Sequence, residues 1–306
     1  MGDRGPLADG TPSLSAAIGV VRAMAGLGGL RSVVRDAEAA RAGGPTANPW
    51  WAVATLLRGV ACFLLGDVDR AREPLRAAYE RVSHLPGFEA VALAHLGLIA
   101  LHDDDLLEAD RLASRAVDLA RRNDLDGLPM LVPVFALGAL TAARRGRADE
   151  ADRAAATASR LLTGLGDLSP AIALLGHLLL AQTALALGRI GESRARLDEA
   201  QRVRRRDPSA TYVVVQLDEL QQLGDAPGLR GVGVQPLTGA ELRVLVYLPT
   251  HLSLQEIAQR LFISRNTAKT HSVSIYRKLG VSSRSEAVET ARRYGLLRDA
   301  QPVTPI

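Results

Sequence analysis

Small and apolar residues recur in this chain at fixed distances after a series of residues that would stop a helix. Gly28, Gly66, Asp104, Gly146 and Gly188 are each followed by such residues five, nine and twelve positions later, and the copy at Gly28 is the weakest. Successive anchors are 38, 38, 42 and 42 residues apart. Because the recurring positions share one face of a helix, the pattern predicts pairs of antiparallel helices, with the second helix beginning just after its anchor. The recurring residues are Val33, Ala37, Ala40, Ala71, Leu75, Ala78, Ala109, Ala113, Ala116, Ala151, Ala155, Ala158, Ser193, Leu197 and Ala200.

Helical hairpins with this spacing resemble tetratricopeptide repeats of slightly more than the usual length. Such hairpins bury one another's apolar faces and form a superhelix with an extended concave surface. We predict that the repeats span residues 14–223, and that the last helix, roughly Ser209 to Leu223, is a terminal cap because it has no second half. Residues 224–236 contain four glycines and two prolines, a composition typical of a flexible connector.

The pattern changes after residue 236, where we predict a domain of four short helices over residues 237–298. Three of the helices begin with a hydroxyl residue followed three positions later by glutamate, the signature of a capping box. The pairs are Thr238 and Glu241, Ser253 and Glu256, and Ser283 and Glu286. A tight turn through Ile263 and a basic third helix that stops at Gly280 complete a helix-turn-helix pattern.

The third helix of this segment has two different faces. At about 100° per residue, one stripe is mainly apolar and should pack on the neighbouring helices, whereas the opposite stripe mixes cation, hydroxyl, amide and methyl groups. Such a mixture suits the base edges and phosphates of a DNA major groove. The inward stripe is Ala268, Ser272, Ile275 and Leu279; the outward stripe is Asn266, Thr270, Val273 and Arg277, flanked by Thr267 and Lys269.

Positive charge is concentrated in the same segment. The chain has 37 basic and 33 acidic side chains, of which residues 237–306 contribute ten and five, so the first 236 residues carry about −1 and the rest about +5. The only two lysines, Lys269 and Lys278, both lie on the third helix. An excess of positive charge on one small helical unit is the electrostatic signature of a nucleic-acid binder.

Over about sixty residues, the segment resembles the LuxR-type helix-turn-helix family of bacterial transcription regulators. The residues that carry the resemblance are Leu237, Thr238, Glu241, Val244, Leu245, Glu256 to Ala258, Leu261 to Ser264, Thr267, Lys269 to His271, Ile275 to Arg284 and Glu286 to Val288. The resemblance implies that the third helix enters the major groove and that the fourth mediates dimerisation. It implies base and phosphate contacts from Thr267, Lys269, Thr270 and Val273, with Arg277 and Lys278 as further phosphate contacts, and a structural role for Glu241.

Three positions depart from the family pattern. Ala268 and Ser272 are smaller than the usual residues of the inward stripe, and each lost methylene in a core costs roughly 1 kcal/mol. His251 replaces a glycine in the turn before the second helix, where a positive φ would disfavour histidine. We expect these changes to affect stability and turn geometry more than function.

The repeats and the C-terminal segment together resemble the C-terminal part of large ATP-binding LuxR regulators. The phosphate-binding pattern G-x-x-x-x-G-K-[ST] is absent, so the chain is either a fragment of such a regulator or a stand-alone regulator without an ATPase module. We expect double-stranded DNA and a second copy of the chain as partners, with RNA polymerase as a further partner. A peptide, protein or small-molecule effector would bind the repeats. The alternative is a repeat scaffold whose C-terminal helices mediate protein association.

An enzyme is the third class and has the weakest support. His95 and His102 lie seven residues apart before three aspartates, which allows a metal site to be imagined, but this spacing is commoner among core histidines, and the acidic run suits a helix N-terminus. We therefore predict no catalytic residue, metal or cofactor. A single cysteine, Cys62, and no apolar run long enough to span a membrane favour a reduced bacterial cytoplasm. The polar termini, residues 1–13 and 299–306, are expected to be disordered.

Overall fold

The computed structural model describes residues 7–8, 10–24, 26, 28–41, 44, 48–166, 168–224, 237, 239–261, 265–293 and 297. The chain divides into two compact units, Met1–Leu217 and Asp218–Ile306. Throughout the described residues, the regular structure is helical, which confirms the all-α prediction. The predicted connector at 225–236 and the C-terminal tail at 299–306 lie outside the described residues. In the predicted disordered N-terminus, the side chain of Thr11 is buried.

The first unit is a stack of five helical hairpins followed by one further helix. The first helices of the hairpins are α1 (Leu14–Met24), α3 (Trp51–Leu64), α5 (Pro86–His102), α7 (Val132–Arg144) and α9 (Pro170–Ala186). The second helices are α2 (Leu30–Ala40), α4 (Val68–Tyr79), α6 (Leu106–Arg122), α8 (Ala148–Leu165) and α10 (Ile190–Arg204). The further helix is α11 (Thr211–Gly224), which begins in the first unit and continues past its end at Leu217, and one 3₁₀ turn, Pro129–Leu131, precedes α7. The predicted succession of hairpins is confirmed.

The predicted anchors are the turns inside the hairpins, and their backbone explains the repeat. Gly66, Asp104, Gly146 and Gly188 all have a positive φ, with values between 61° and 91°. In each turn the amide after the anchor donates to a carbonyl five residues earlier; for example, Asp105 N lies 2.8 Å from Ala100 O. This bond satisfies a carbonyl that the ending helix leaves open. The recurring small residues are all buried except Ala155.

Close approach between neighbouring hairpins depends on glycine in the first helices. A Cβ atom on Gly176 of α9 would lie 2.5 Å from Val132, and one on Gly97 of α5 would lie 2.8 Å from Leu137. In α7, every residue except Arg144 is buried. The first helix α7 is therefore enclosed in the stack, whereas α1 at its start leaves Leu14, Ile18 and Val21 exposed.

Arginine–aspartate pairs join consecutive hairpins near their turns. Arg189, which precedes α10, reaches Asp152 of α8 at 2.5 and 2.8 Å through both guanidinium ends. Arg147, which precedes α8, pairs in the same way with Asp110 of α6. The arrangement is reversed one hairpin earlier, where Arg72 of α4 binds the turn residue Asp103 at 2.7 Å. Paired forks of this kind fix geometry between hairpins.

The helix α11 contacts hairpins that are far apart in the sequence. The ring of Tyr212 lies 4.3 Å from that of Phe63 in α3 and 5.9 Å from that of His102 in α5, while Gln216 accepts a hydrogen bond from Gln182 in α9 at 3.2 Å. The interpretation of this helix as a terminal cap stays a prediction, and the structure adds that the helix reaches the second and third hairpins as well as the last one. Because successive hairpins are rotated in a solenoid, the stack curves, and one helix can touch its early and late members.

The second unit contains the four predicted short helices. They are α12 (Gly239–Tyr247), α13 (Leu254–Arg260), α14 (Arg265–Leu279) and α15 (Arg284–Arg293). Its core is formed by Leu237, Val244, Leu245, Leu248, Ile257, Ile275, Leu279, Ala287 and Ala291. Every helix contributes to this core, which fixes α14 against the other three. Across both units, no described helix has the length and apolar character needed to cross a membrane.

Candidate nucleic-acid interface

Helix α14 has one buried stripe, and it is the predicted one. Ala268, Ser272, Ile275 and Leu279 are its buried residues. The hydroxyl of Ser272 donates to the carbonyl of Ala268 at 2.9 Å, so this polar group is satisfied within its own helix. The two small residues that depart from the family pattern therefore face the core without leaving an unpaired hydroxyl there.

The opposite face of α14 is open to solvent. Asn266, Lys269, Thr270, Val273 and Arg277 are exposed, and Thr267 is half-buried. Val273 is 58% exposed although it is a β-branched apolar residue. Thr270 donates its hydroxyl to the carbonyl of Asn266 at 2.9 Å, which leaves the oxygen lone pairs and the methyl group outward. The face therefore offers cations, an amide and methyl groups along about three turns.

Arg265 extends this face toward the helix start and was missed in the sequence. It is the first residue of α14 and is exposed. A signal was present, because Arg265 directly precedes Asn266 and adds to the basic character of the helix. The preceding residues 262–264, which contain the predicted turn through Ile263, lie outside the described residues.

Lys278 lies in a different environment from Lys269. Its ammonium group is 2.7 Å from Oε2 of Glu241 in α12, and the two side chains are only 12% and 5% exposed. A nearly buried lysine that neutralises an internal carboxylate has no charge available for DNA. This pairing argues against the predicted phosphate contact of Lys278, because its side chain is directed to Glu241 in the core. Glu241 is structural, as expected, whereas its predicted cap partner Thr238 lies outside the described residues.

The helix caps around α14 follow the predicted chemistry with one shift. Ser253 and Glu256 form a full capping box, in which Ser253 N donates to the Glu256 carboxylate at 2.8 Å. Ser283 caps Glu286 N at 3.2 Å, but the Glu286 carboxylate accepts from Ser282 N at 2.9 Å, one residue earlier than expected. Hydrogen bonds from these backbone and hydroxyl groups hold the pKa of both glutamates below the usual range.

Arg284 makes the most extensive set of hydrogen bonds that the sequence did not predict. From the first turn of α15 its guanidinium donates to the carbonyls of Leu248, Leu252 and Thr250 at 2.8–2.9 Å, and to Tyr247 at 3.3 Å. The carbonyls of Leu248, Leu252 and Thr250 belong to the loop between α12 and α13, and Tyr247 is the last residue of α12. One side chain of the last helix therefore holds the loop that orients the helices on which α14 packs.

The loop held by Arg284 also accommodates His251. Among the described residues, the non-glycine positions with positive φ are Asp104 and Asp124, so His251 has no left-handed backbone. Instead, the Thr250 hydroxyl donates to Tyr247 O at 2.6 Å and accepts from Leu252 N at 3.3 Å. The hydrogen bonds of the Thr250 side chain thus hold this turn, in which the family usually has a glycine. At the other end of α14, Gly280 has a φ of 68°, and Val281 N donates to Tyr276 O, as expected for the predicted helix stop.

Of the residues considered for metal chemistry, His95 is packed in the core, Asp103 binds Arg72, and Asp105 caps α6. His95 is 1% exposed, its Nδ1 lies 2.8 Å from Val91 O, and its ring meets Phe63 edge-on. Burial lowers the pKa of His95 to about 4, although the bond to Val91 opposes this shift. Burial likewise raises the pKa of the Cys62 thiol. Across the described parts of the chain, no group of three or more histidine, cysteine or carboxylate side chains is placed to hold a metal ion.

Comparison with known families separates the chain at the same place as its sequence patterns do. Residues 28–228 match the family model of the MalT-like TPR region, and residues 235–291 match that of the bacterial regulatory proteins of the luxR family. These two matches confirm the resemblances to tetratricopeptide-like repeats and to LuxR-type regulators.

Individual relatives are similar over the C-terminal segment. The chain is 39% identical over 62 residues to the Fimbriae Z protein of Salmonella typhimurium. This match covers 20% of this chain and 30% of that protein. It is 40% identical over 62 residues to the HTH-type transcriptional regulator MalT of Yersinia pestis, covering 20% of this chain and 7% of MalT. In both cases the chain covers less than a third of the relative.

Proposed function

Because this chain belongs to the family of proteins with a MalT-like TPR region and continues into a luxR-family segment, we propose that it is a DNA-binding transcription regulator whose helix α14 lies in the major groove. The outward face of α14 is the observation that carries this proposal. The buried stripe of α14 packs in the core, while Asn266, Lys269 and Val273 are exposed on the other side. We assign the protein no catalytic activity.

The side chains on this face correspond to the groups that DNA presents in the major groove. Asparagine can pair with adenine, lysine with guanine, and a valine or threonine methyl group can pack on the thymine methyl. We propose Asn266, Lys269, Thr270 and Val273 for contacts to base edges. Thr267, Arg265 and Arg277 lie at the margins of the face and would contact phosphates, which set register without carrying sequence information. Lys278 is left out because it is paired with Glu241.

The remaining partners follow from the same regulatory function. We propose that the chain binds DNA as a homodimer through α15, which requires pseudo-palindromic half-sites related by the two-fold axis of the protein. The repeat unit would bind an effector, and the DNA-bound regulator would act on RNA polymerase. A cytoplasmic location is consistent with this function.

The decisive experiment measures binding of the full chain to duplexes selected from a random pool. Replacing Lys269 with alanine should weaken specific binding by roughly 1–3 kcal/mol if the ammonium group reaches a base edge. The control is Arg111→Ala, which removes one exposed positive charge from α6 in the other unit and should leave binding unchanged. Equal affinities of the parent and Lys269→Ala would contradict the assignment.

Salt dependence separates DNA binding from the alternative of a protein-association scaffold. The logarithm of the binding constant should fall with the logarithm of salt concentration with a slope of about −0.9 for each neutralised phosphate. If the protein binds none of the duplexes even at low ionic strength, the proposed function is overturned.

A further inference from the structure

A cavity lies where the start of α11 meets the first two hairpins of the repeat unit. Its volume is about 590 Å³, within the size range of sites for small organic ligands. The lining residues come from α2, from the end of α3 through the turn into the start of α4, and from the residues that lead into and begin α11. They are Arg31, Val34, Cys62, Leu65, Asp67, Arg70, Pro208, Ser209 and Thr211.

The charged groups of this cavity favour an anion. Arg31 is exposed and forms no ion pair with any residue that the structure describes. The side chain of Arg70 is 61% exposed, and its guanidinium approaches Asp67 only to 3.5 Å. The Asp67 carboxylate is already used as the N-cap of α4, where it accepts from Arg70 N at 3.3 Å. Two arginine side chains and one committed carboxylate therefore line the cavity.

A buried hydroxyl in the same wall has no partner among the described residues. Oγ of Ser209 is shielded from solvent and makes no hydrogen bond, although the backbone amide of Ser209 is bound by Asp207. A buried polar atom without a partner costs free energy, and rotation of the Ser209 side chain toward the cavity would let a ligand oxygen satisfy it. Thr211, whose hydroxyl donates to the carbonyl of Ser209 at 3.4 Å, also lines the wall.

The rest of the wall is apolar, so the cavity suits more than a bare inorganic ion. Cys62 is 3% exposed, and Val34 and Leu65 are half-buried. Apolar walls with a few convergent polar groups are typical of sites that bind organic molecules and fix their orientation.

We propose that this cavity binds a small organic anion, whose phosphate or carboxylate group is held by Arg31, Arg70 and Ser209 while its short body lies against Val34 and Leu65. This inference rests on the proposed regulatory function and names the chemical class of the effector. The bound anion joins the first two hairpins to the residues preceding α11. Because these elements come from both ends of the repeat unit, the occupant stabilises the position of α11 against the stack.

The only cysteine of the chain gives a readout confined to this cavity. We would measure the rate at which a thiol reagent modifies Cys62 in the full chain at pH 8.5, since burial raises the thiol pKa. The probes are inorganic phosphate and succinate, each at 20 mM and each compared with chloride at equal ionic strength. We expect at least one probe to slow modification threefold or more with saturable concentration dependence. Phosphate alone would indicate a phosphate ligand, and succinate alone a carboxylate.

Matched arginine variants locate the effect. Arg31→Gln should abolish the protection, whereas Arg35→Gln, one turn along α2 and outside the cavity lining, should retain it. The thermal unfolding midpoint of the same samples is the second readout: the rise caused by the protecting anion should be larger in the parent than in Arg31→Gln. Absence of protection by both anions, or equal protection in Arg31→Gln, would overturn the inference.

The experiment contains no DNA, so its failure is distinct from failure of the proposed function. A chain that binds its selected duplex but shows no anion protection would lose the effector assignment alone. A chain that shows protection but ignores every duplex would keep the anion site and lose the regulatory function.

Discussion

Helices α7 and α14 have similar lengths but opposite relations to solvent. In α7 every residue except Arg144 is buried, whereas in α14 only four of fifteen residues are buried. Helix α7 is enclosed by neighbouring hairpins and has no free face with which to recognise a partner. Helix α14 uses one narrow stripe for packing and leaves a continuous face for binding. Substitutions in α7 should therefore act on stability, and those on the outward face of α14 on recognition.

The largest effect that this comparison predicts is in α7. Phe135 is fully buried, so Phe135→Ala should destabilise the protein by about 3–5 kcal/mol, because a large cavity opens in a packed core. Chemical denaturation followed by circular dichroism measures the change. A loss below about 1 kcal/mol would mean that the stack closes around the gap, and that α7 is less tightly enclosed than its burial indicates.

A buried ion pair in the second unit should respond almost as strongly. Lys278→Met leaves the Glu241 carboxylate buried without its cation, which typically costs about 3–5 kcal/mol. Replacing both residues with methionine should recover most of this loss. The exposed pair of Arg111 and Glu108 is the control, since Arg111→Gln should change the free energy of unfolding by less than about 1 kcal/mol. If Lys278→Met were as mild as the control, the pair would not be part of the core.

Acid should weaken the repeat unit through its buried histidine. The pKa of His95 is about 4 in the folded chain and 6.5 as its ordinary value, so the folded form favours the neutral ring. The resulting stability is fully present above pH 6.5 and is lost as the pH falls from 6.5 through 4. The loss is on the order of 3 kcal/mol at the acid end.

Urea unfolding between pH 7 and pH 4 measures this dependence in the parent and in His95→Leu. Burial also lowers the pKa of His177 to about 4, so the variant should retain part of the slope. Identical slopes in the two proteins would show that His95 does not contribute.

The smallest effect on stability is expected at Val273. Because this side chain is 58% exposed, Val273→Ala should change the free energy of unfolding by no more than about 0.5 kcal/mol. It should nevertheless change the sequences that the protein selects from a random duplex pool, since a methyl contact to thymine would be lost. An unchanged set of selected sites would remove Val273 from the proposed base contacts.

Features set by local spacing could be predicted from the sequence. The hairpin turns depend on residues that tolerate positive φ, and Gly66 and Gly146 mark them directly. The buried stripe of α14 follows from helical periodicity, as the burial of Ala268 and Ile275 shows. The capping box at Ser253 is likewise a short-range pattern. In each case the interacting groups lie within a few residues of one another.

Features that join distant segments could not be predicted in this way. Lys278 and Glu241 are 37 residues apart, and Arg284 is 32–37 residues from the carbonyls that it holds. Periodicity places Lys278 beside the inward stripe but does not reveal which group it meets there. The contact between Tyr212 and Phe63 depends on the curvature of the whole stack, and so does the cavity beside it.

The meeting of Tyr212 with Phe63 also sets an order of events during synthesis. These rings are separated by 149 positions in the chain, so they come together only after nearly the entire repeat unit has left the ribosome. Until then, each hairpin can form from its own local contacts, but the aromatic surface of the first ones lacks its final cover. Contacts of such long range are slow to form, and the interval exposes apolar surface to chaperones. The last helix of the unit thus covers the hairpins that are synthesised first.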